Sequence, residues 1–191
     1  MGRTPTPAAT MLPHPGLRLR RLRRLRGIKQ SAMAEMAGVT QATVSRWEKG
    51  ALRPDPHVVE TVLRHLARSR PGSGDAALRR LVESSRAPVH LVTDVDHRLL
   101  AASPARVREW NRDCAGLLGT SLWRFATPEI QQAEQGLAQC GWWEEECVDP
   151  VEVRTGPGAA GLTIRAGLMV WERIYLADGT PARLCTTVAF S

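Results

Sequence analysis

Residues 22–56 read LRRLRGIKQSAMAEMAGVTQATVSRWEKGALRPDP, and the spacing of three glycines in this stretch decides the N-terminal fold. Gly27, Gly38 and Gly50 each follow a short run of helix-forming residues, and glycine is the residue that most readily takes the left-handed turn ending a helix. The pattern predicts a first helix from Leu17 to Arg26, with Leu19, Leu22 and Leu25 in one apolar stripe. A second helix should run from Gln30 to Gly38, with Met33, Ala34 and Ala37 facing inward. Val39 should plug the turn. Thr40 is a good N-cap for a third helix, Gln41 to Lys49, whose Val44 and Trp47 face a core. Pro54 and Pro56 bracket a turn, and a fourth helix should follow from Pro56 to Ala67. The third helix is then left with an outer face of Gln41, Ala42, Thr43, Ser45, Arg46 and Lys49. That face has no large hydrophobe. Gln can pair bidentately with adenine, Arg with guanine, and small methyl groups can touch thymine.

Charge is distributed to match. The chain has 191 residues and a formal net charge of +7. Residues 1–72 hold fourteen Lys and Arg against four Asp and Glu, a balance of +10, and the remainder balances at −3. A polyanion is therefore expected to meet the first half only. Arg18, Arg20, Arg21, Arg24 and Arg26 surround the stripe of the first helix and read as a solvated basic face, some of it available to phosphates. The hydrophobic fraction of 43% supports packed cores. No apolar run is long enough for a membrane span and no secretory signal is seen, so the expected location is the cytoplasm. The cysteines Cys114, Cys140, Cys147 and Cys185 show no metal or redox spacing and read as free thiols.

The quoted stretch resembles the XRE or lambda-repressor-like helix-turn-helix family. The matching positions are Leu22-Arg23, Gly27, Gln30, Ala34, Gly38, Val39, Thr40, the run Gln41 to Trp47, Glu48, Gly50 and Pro54, over about residues 17–68. The resemblance implies base contacts from Gln41, Ala42, Ser45 and Arg46. It implies phosphate contacts from Gln30, Thr43, Lys49 and Arg53, and a structural ion pair between Arg23 and Glu48. Met36, Ala37 and Ala42 depart from the usual pattern, which implies looser packing in the second helix and one weaker base contact. The implied partner is double-stranded DNA, bound as an inverted-repeat operator by a homodimer. The rival reading is an antitoxin-like or adaptor module that binds protein, with DNA contact secondary.

Beyond the linker signal RPGSG the composition changes: five of the six tryptophans lie there. A helix from Asp75 to Ser85 should carry Leu78, Leu81 and Val82 and serve a dimer. Short strands are expected at Val89–Thr93 and Arg98–Ala102, joined by a turn at Asp94 to His97. Helices should start at Ser103-Pro104, continuing to Asn111, and at Thr127-Pro128, continuing to Cys140. Three strands should follow, at Pro150–Thr155, Thr163–Leu176 and Ala182–Phe190, with Asp178-Gly179 turning the last hairpin. The order, with SPAR, LLGTSLWRF and the final DGT, is similar to a PAS domain.

That resemblance implies a five-stranded antiparallel sheet with helices enclosing a candidate ligand pocket, whose lining is assigned to Trp110, Trp123, Phe125 and Trp142. The light-sensing flavin type needs a cysteine that Asn111 to Cys114 does not supply, and the helix from residue 128 to 140 lacks an axial His for haem. No cofactor and no metal are expected, and His90 and His97 read as surface or hydrogen-bonded side chains. Asp94 and Asp96 read as turn formers, and Glu144, Glu145 and Glu146 as a solvated run. No phosphate loop or nucleophile motif points to an enzyme. The expected fold is α+β and multidomain: a tail at 1–16, an all-α helix-turn-helix domain of four to five helices at 17–70, a linker at 71–75, and a PAS-like sheet domain at 76–191 that senses a small molecule or holds a dimer.

Overall fold

The computed structural model describes residues 14–66, 73–144, 147–158 and 161–190. Four helices come first: α1 (Pro15–Leu25), α2 (Gln30–Ala37), α3 (Gln41–Glu48) and α4 (Pro56–Leu66). Leu19, Leu22, Met33, Val44, Trp47, Val59, Val62 and Leu66 meet in their core. The glycine punctuation is present as left-handed backbone, with φ of 61° at Gly27, 65° at Gly38 and 73° at Gly50. The tail expected at 1–16 falls mostly outside the described residues, but Pro15 and Gly16 belong to α1. Proline fits the first helical turn because its missing N–H would have no partner there. Gly16 is buried where α1 crosses α3. A Cβ on it would lie 1.8 Å from the Trp47 carbonyl oxygen.

Helix α5 (Ser73–Ser84) starts inside the segment expected to be linker. Asp75 sits in its first turn, where a carboxylate suits the positive end of the helix, and accepts a hydrogen bond from the Ala177 N–H at 2.8 Å. The remaining elements are β1 (Val89–Thr93), β2 (Leu99–Ala102), α6 (Pro104–Trp110), a 3₁₀ turn (Leu122–Phe125), α7 (Pro128–Gly136), β3 (Val151–Thr155), β4 (Gly167–Tyr175) and β5 (Pro181–Phe190). The five strands form one antiparallel sheet in the order β2-β1-β5-β4-β3. This is the fold class read from the sequence: a helix-turn-helix unit followed by a five-stranded antiparallel sheet with flanking helices.

Three boundaries differ from expectation. β2 starts one residue later, at Leu99. α7 stops at Gly136, and the chain then coils in tight turns to Gly141, which has φ of 70°. β4 begins at Gly167 because residues 163–166 leave the ladder and bridge back to Gly158 through Ile164.

Alternation along the strands gives each sheet face its own work. Val89, Leu91, Ala101 and Ala182 face α5 and pack on Val82 and Leu78. On the other face Val92, Met169, Trp171 and Cys185 join Trp110, Leu117, Leu137 and Trp142 from the helical side. That inner face also carries His90 and Arg183, which the register places opposite Cys185 and Val92.

Candidate nucleic-acid interface and interior cavity

The outward face of α3 is open. Gln41, Ala42, Arg46 and Lys49 are exposed, and Thr43 and Ser45 are half-buried. The inward face is fixed: Val44 has no exposure and Trp47 only 4%. Thr40 caps the helix, its hydroxyl accepting from the Thr43 N–H at 3.2 Å. The Thr43 hydroxyl shares a hydrogen bond of 2.9 Å with that of Thr40. Arg53 is exposed in the loop before α4.

Behind α3 the structure brings Arg23 and Glu48 together in a bidentate pair, Nε to Oε1 at 2.6 Å and Nη2 to Oε2 at 2.9 Å. Gln30 joins them, its amide donating to Glu48 Oε2 at 2.9 Å. Burial alone would raise the Glu48 carboxyl, but the hydrogen bonds from Arg23 and Gln30 outweigh it and hold its pKa below the usual value. Gln30 is also the first residue of α2, whose N-cap Lys29 supplies no side-chain cap.

The arginines of α1 are not the solvated face expected of them. Arg21 is 8% exposed, donates to Glu134 on α7 at 3.0 Å, and lies 4.2 Å from the ring centre of Trp143. Arg18 pairs with Asp96, and Arg24 pairs with Glu144. Arg26 donates to the Asp178 carbonyl at 3.2 Å and to the Thr180 hydroxyl at 3.3 Å. Val95, in the β1–β2 turn, completes the core of the helical unit, and Leu25 touches both cores. So α1 is the joint between the two halves. Glu144 is accordingly engaged, while Glu145 and Glu146 lie outside the described residues.

Glu134 ties this joint to a buried charge cluster. It is 2% exposed and also accepts from Arg183 Nη1 at 2.8 Å. Arg183 donates through Nε to Asp94 Oδ1 at 2.7 Å, and Asp94 accepts from the Trp142 indole at 2.8 Å. Asp94, read from the sequence as a turn former, is wholly buried. Burial would raise Glu134, but the guanidiniums of Arg183 and Arg21 hold its pKa down.

The same cluster forms part of the wall of a cavity of about 80 Å³ between the sheet and the helices. Trp110, Trp123 and Phe125 line it, as assigned from the sequence; Trp142 does not. Trp142 is fully buried, held by Asp94 and with Arg183 packed 5.1 Å from its ring centre. His90 and His97 are not surface side chains: they are 9% and 6% exposed and both line the cavity. His90 meets Trp110 edge-on at 5.2 Å, and His97 stacks on Trp123 at 4.8 Å. Burial depresses both imidazoles, His97 to about 4. Cys185, also in the lining, has its thiol pushed up to about 12 by burial, which suits an inert thiol. Among the described residues no three His, Cys, Asp or Glu side chains group to hold a metal, and no helix is long and apolar enough to cross a membrane.

Sequence reasoning missed the cavity histidines, Asp94, Glu134 and Arg183. One signal was available. The alternation of PARLCTTVAF puts Arg183 and Cys185 on the same face, and an arginine on a core face requires buried carboxylates.

Residues 19–71 match the family model described as Helix-turn-helix. No curated protein matches the chain at a significant level. Solved structures similar to it include the PAS domain of an HTR-like protein from Haloarcula marismortui, at 18% identity and a TM-score of 0.43, covering 61% of this chain and 92% of that one. A PAS domain from a two-component sensor histidine kinase is 12% identical, with a TM-score of 0.40, over 60% of this chain and 94% of that one. An RNA-binding light-oxygen-voltage receptor is 14% identical, with a TM-score of 0.44, over 92% of this chain and 57% of that one.

Proposed function

We propose that this protein is a sequence-specific transcriptional regulator of the cytoplasm, in which α3 enters the major groove and the PAS-like domain senses a signal or mediates dimerisation. The observation that carries this reading is the contrast between the two faces of α3. Its back is locked by Val44, Trp47 and the Arg23–Glu48 pair, while Gln41, Ala42 and Arg46 stand open to a partner. A rigid helix with short polar side chains suits base readout.

In this reading Gln41, Ala42, Ser45 and Arg46 meet base edges, and Thr43, Lys49 and Arg53 meet phosphates. Gln30 stands at the start of α2, where uncapped N–H groups favour an anion. With one amide N–H committed to Glu48, Gln30 would present its second amide N–H and its backbone N–H together. As a homodimer the protein would place two copies of α3 about 34 Å apart on an inverted repeat. Selecting bound sequences from a random duplex pool tests this directly. Enrichment of a two-fold symmetric site is the expected result, and recovery of unrelated sequences with no motif would overturn it. Copurification with a small basic protein and no enriched duplex would favour the antitoxin-like alternative.

A further inference from the structure

A sensory role for the sheet domain requires a place for a ligand, and the walls of the cavity limit the chemistry that ligand can have. The floor is the inner face of β1, β4 and β5, and the walls are mostly apolar, with Trp110, Trp123, Phe125 and Trp171 around it. At about 80 Å³ the cavity is small and suits a compact occupant such as a single ring.

The charges in and behind the walls cancel. Arg106 pairs with Glu109 at 2.6 Å, and Arg183 and Arg21 share Asp94 and Glu134. Three cations thus face three carboxylates, and no charge is left to balance that of an occupant. A charged molecule would lose its hydration without compensation. Among the lining residues His90 Nδ1, His97 Nε2 and Arg106 Nε are buried and have no hydrogen-bond partner, and Arg183 Nη2 has only its ion pair with Asp94; of these, the two imidazole nitrogens alone can accept as well as donate, and the nearest Glu134 oxygen lies 3.7 Å from His97 Nε2. The burial that depresses both imidazoles keeps them neutral near pH 7, so each can donate or accept according to its tautomer. A buried polar atom without a partner destabilises the folded state. A ligand that supplies the missing hydrogen bond recovers part of that.

Building on the sensory reading of the sheet domain, we propose that the cavity binds a compact, electrically neutral ring carrying one hydrogen-bonding group, with the ring among the tryptophans and that group on His90. Titration calorimetry on the full chain, without DNA, tests this with phenol, toluene and benzoate at pH 7. Phenol should bind at least about tenfold more tightly than toluene, the value of one buried hydrogen bond. Benzoate should bind more weakly than either. In His90→Phe the preference for phenol over toluene should disappear.

A second measurement does not depend on that variant folding. The ¹⁵N imidazole signals of His90 in the unaltered protein should move with phenol and stay with toluene. Three results overturn the assignment: no binding of phenol or toluene, benzoate binding most tightly, or imidazole signals unmoved by bound phenol. The sensory reading fails separately. Phenol that binds as described and leaves operator affinity unchanged supports the ligand class and removes the signalling role.

Discussion

In the proposed reading, single side chains on α3 divide between two kinds of contact. Arg46 is exposed on the face aimed outward, and Lys49 follows at the end of the helix. Arg46→Ala should lower operator affinity by about 1–3 kcal/mol and relax selection at one base position. Lys49→Ala should weaken operator and random duplex alike. Competition binding with both duplexes distinguishes them, and equal losses on the two duplexes for Arg46→Ala would remove base readout from that residue. Glu48 holds the pair from behind. Its bonds to Arg23 and Gln30 leave little room for substitution, since breaking a buried pair exposes the cost of the charge left behind.

Among the elements, α1 and α3 cross closely at Gly16. Gly16 lets the α1 backbone lie against the Trp47 carbonyl, and a methyl group there meets backbone that cannot step aside. Gly16→Ala should therefore destabilise the fold by about 1–3 kcal/mol, against the gain of about 1 kcal/mol that alanine brings to a helix. Denaturant unfolding checks the sign; a neutral or stabilised variant would mean the helices cross elsewhere. This contact also shows where sequence reading stops. Helices α2 and α3 were legible because Gly38, Thr40 and Gly50 act locally, through backbone conformation and capping. The succession of strands along the chain and the Asp178-Gly179 hairpin are legible for the same reason, whereas the spatial order β2-β1-β5-β4-β3 is not. Gly16, Arg21 and Arg183 were not, because what they touch is far away in the chain. Gly16 looked like the end of a tail and Arg21 like a surface cation until Trp47 and Glu134 were placed beside them. Trp142 was misassigned to the cavity because aromatic content does not reveal which rings a carboxylate such as Asp94 draws into the core.

On the scale of the molecule, Arg21 and Glu134 join the two halves. Arg21→Met should cost on the order of 3 kcal/mol, softened by the Arg183 contact that Glu134 retains. A double-mutant cycle with Glu134→Gln should return a coupling of about 1–3 kcal/mol, and hydrogen exchange should quicken in both α1 and α7. Zero coupling, with exchange unchanged, would mean the halves are held by their apolar contacts alone.

Acid should loosen the same region. The folded pKa values of His90 and His97 lie below their ordinary 6.5, so the unfolded chain binds more protons as pH falls from about 6.5 toward 4. Stability should therefore rise with pH across that window. His97 alone accounts for roughly 3 kcal/mol between its ends. Asp94, raised by burial, works the opposite way, because its folded carboxyl holds a proton above its ordinary value of 3.8. Thermal unfolding at pH 7 and pH 5 should show the drop, and His97→Gln should flatten it; a flat profile in the unaltered protein would place both imidazoles in contact with water.

The engagement of arginines on α1 and at its C-cap alters what a duplex would meet. Arg18, Arg21, Arg24 and Arg26 are already taken by oxygens of the same chain. Fewer cations then remain to displace condensed sodium or potassium from DNA than the formal excess implies. Because each neutralised phosphate adds about 0.9 to the logarithmic salt slope, ionic strength should govern this regulator only mildly, and its grip should depend more on the bases it faces.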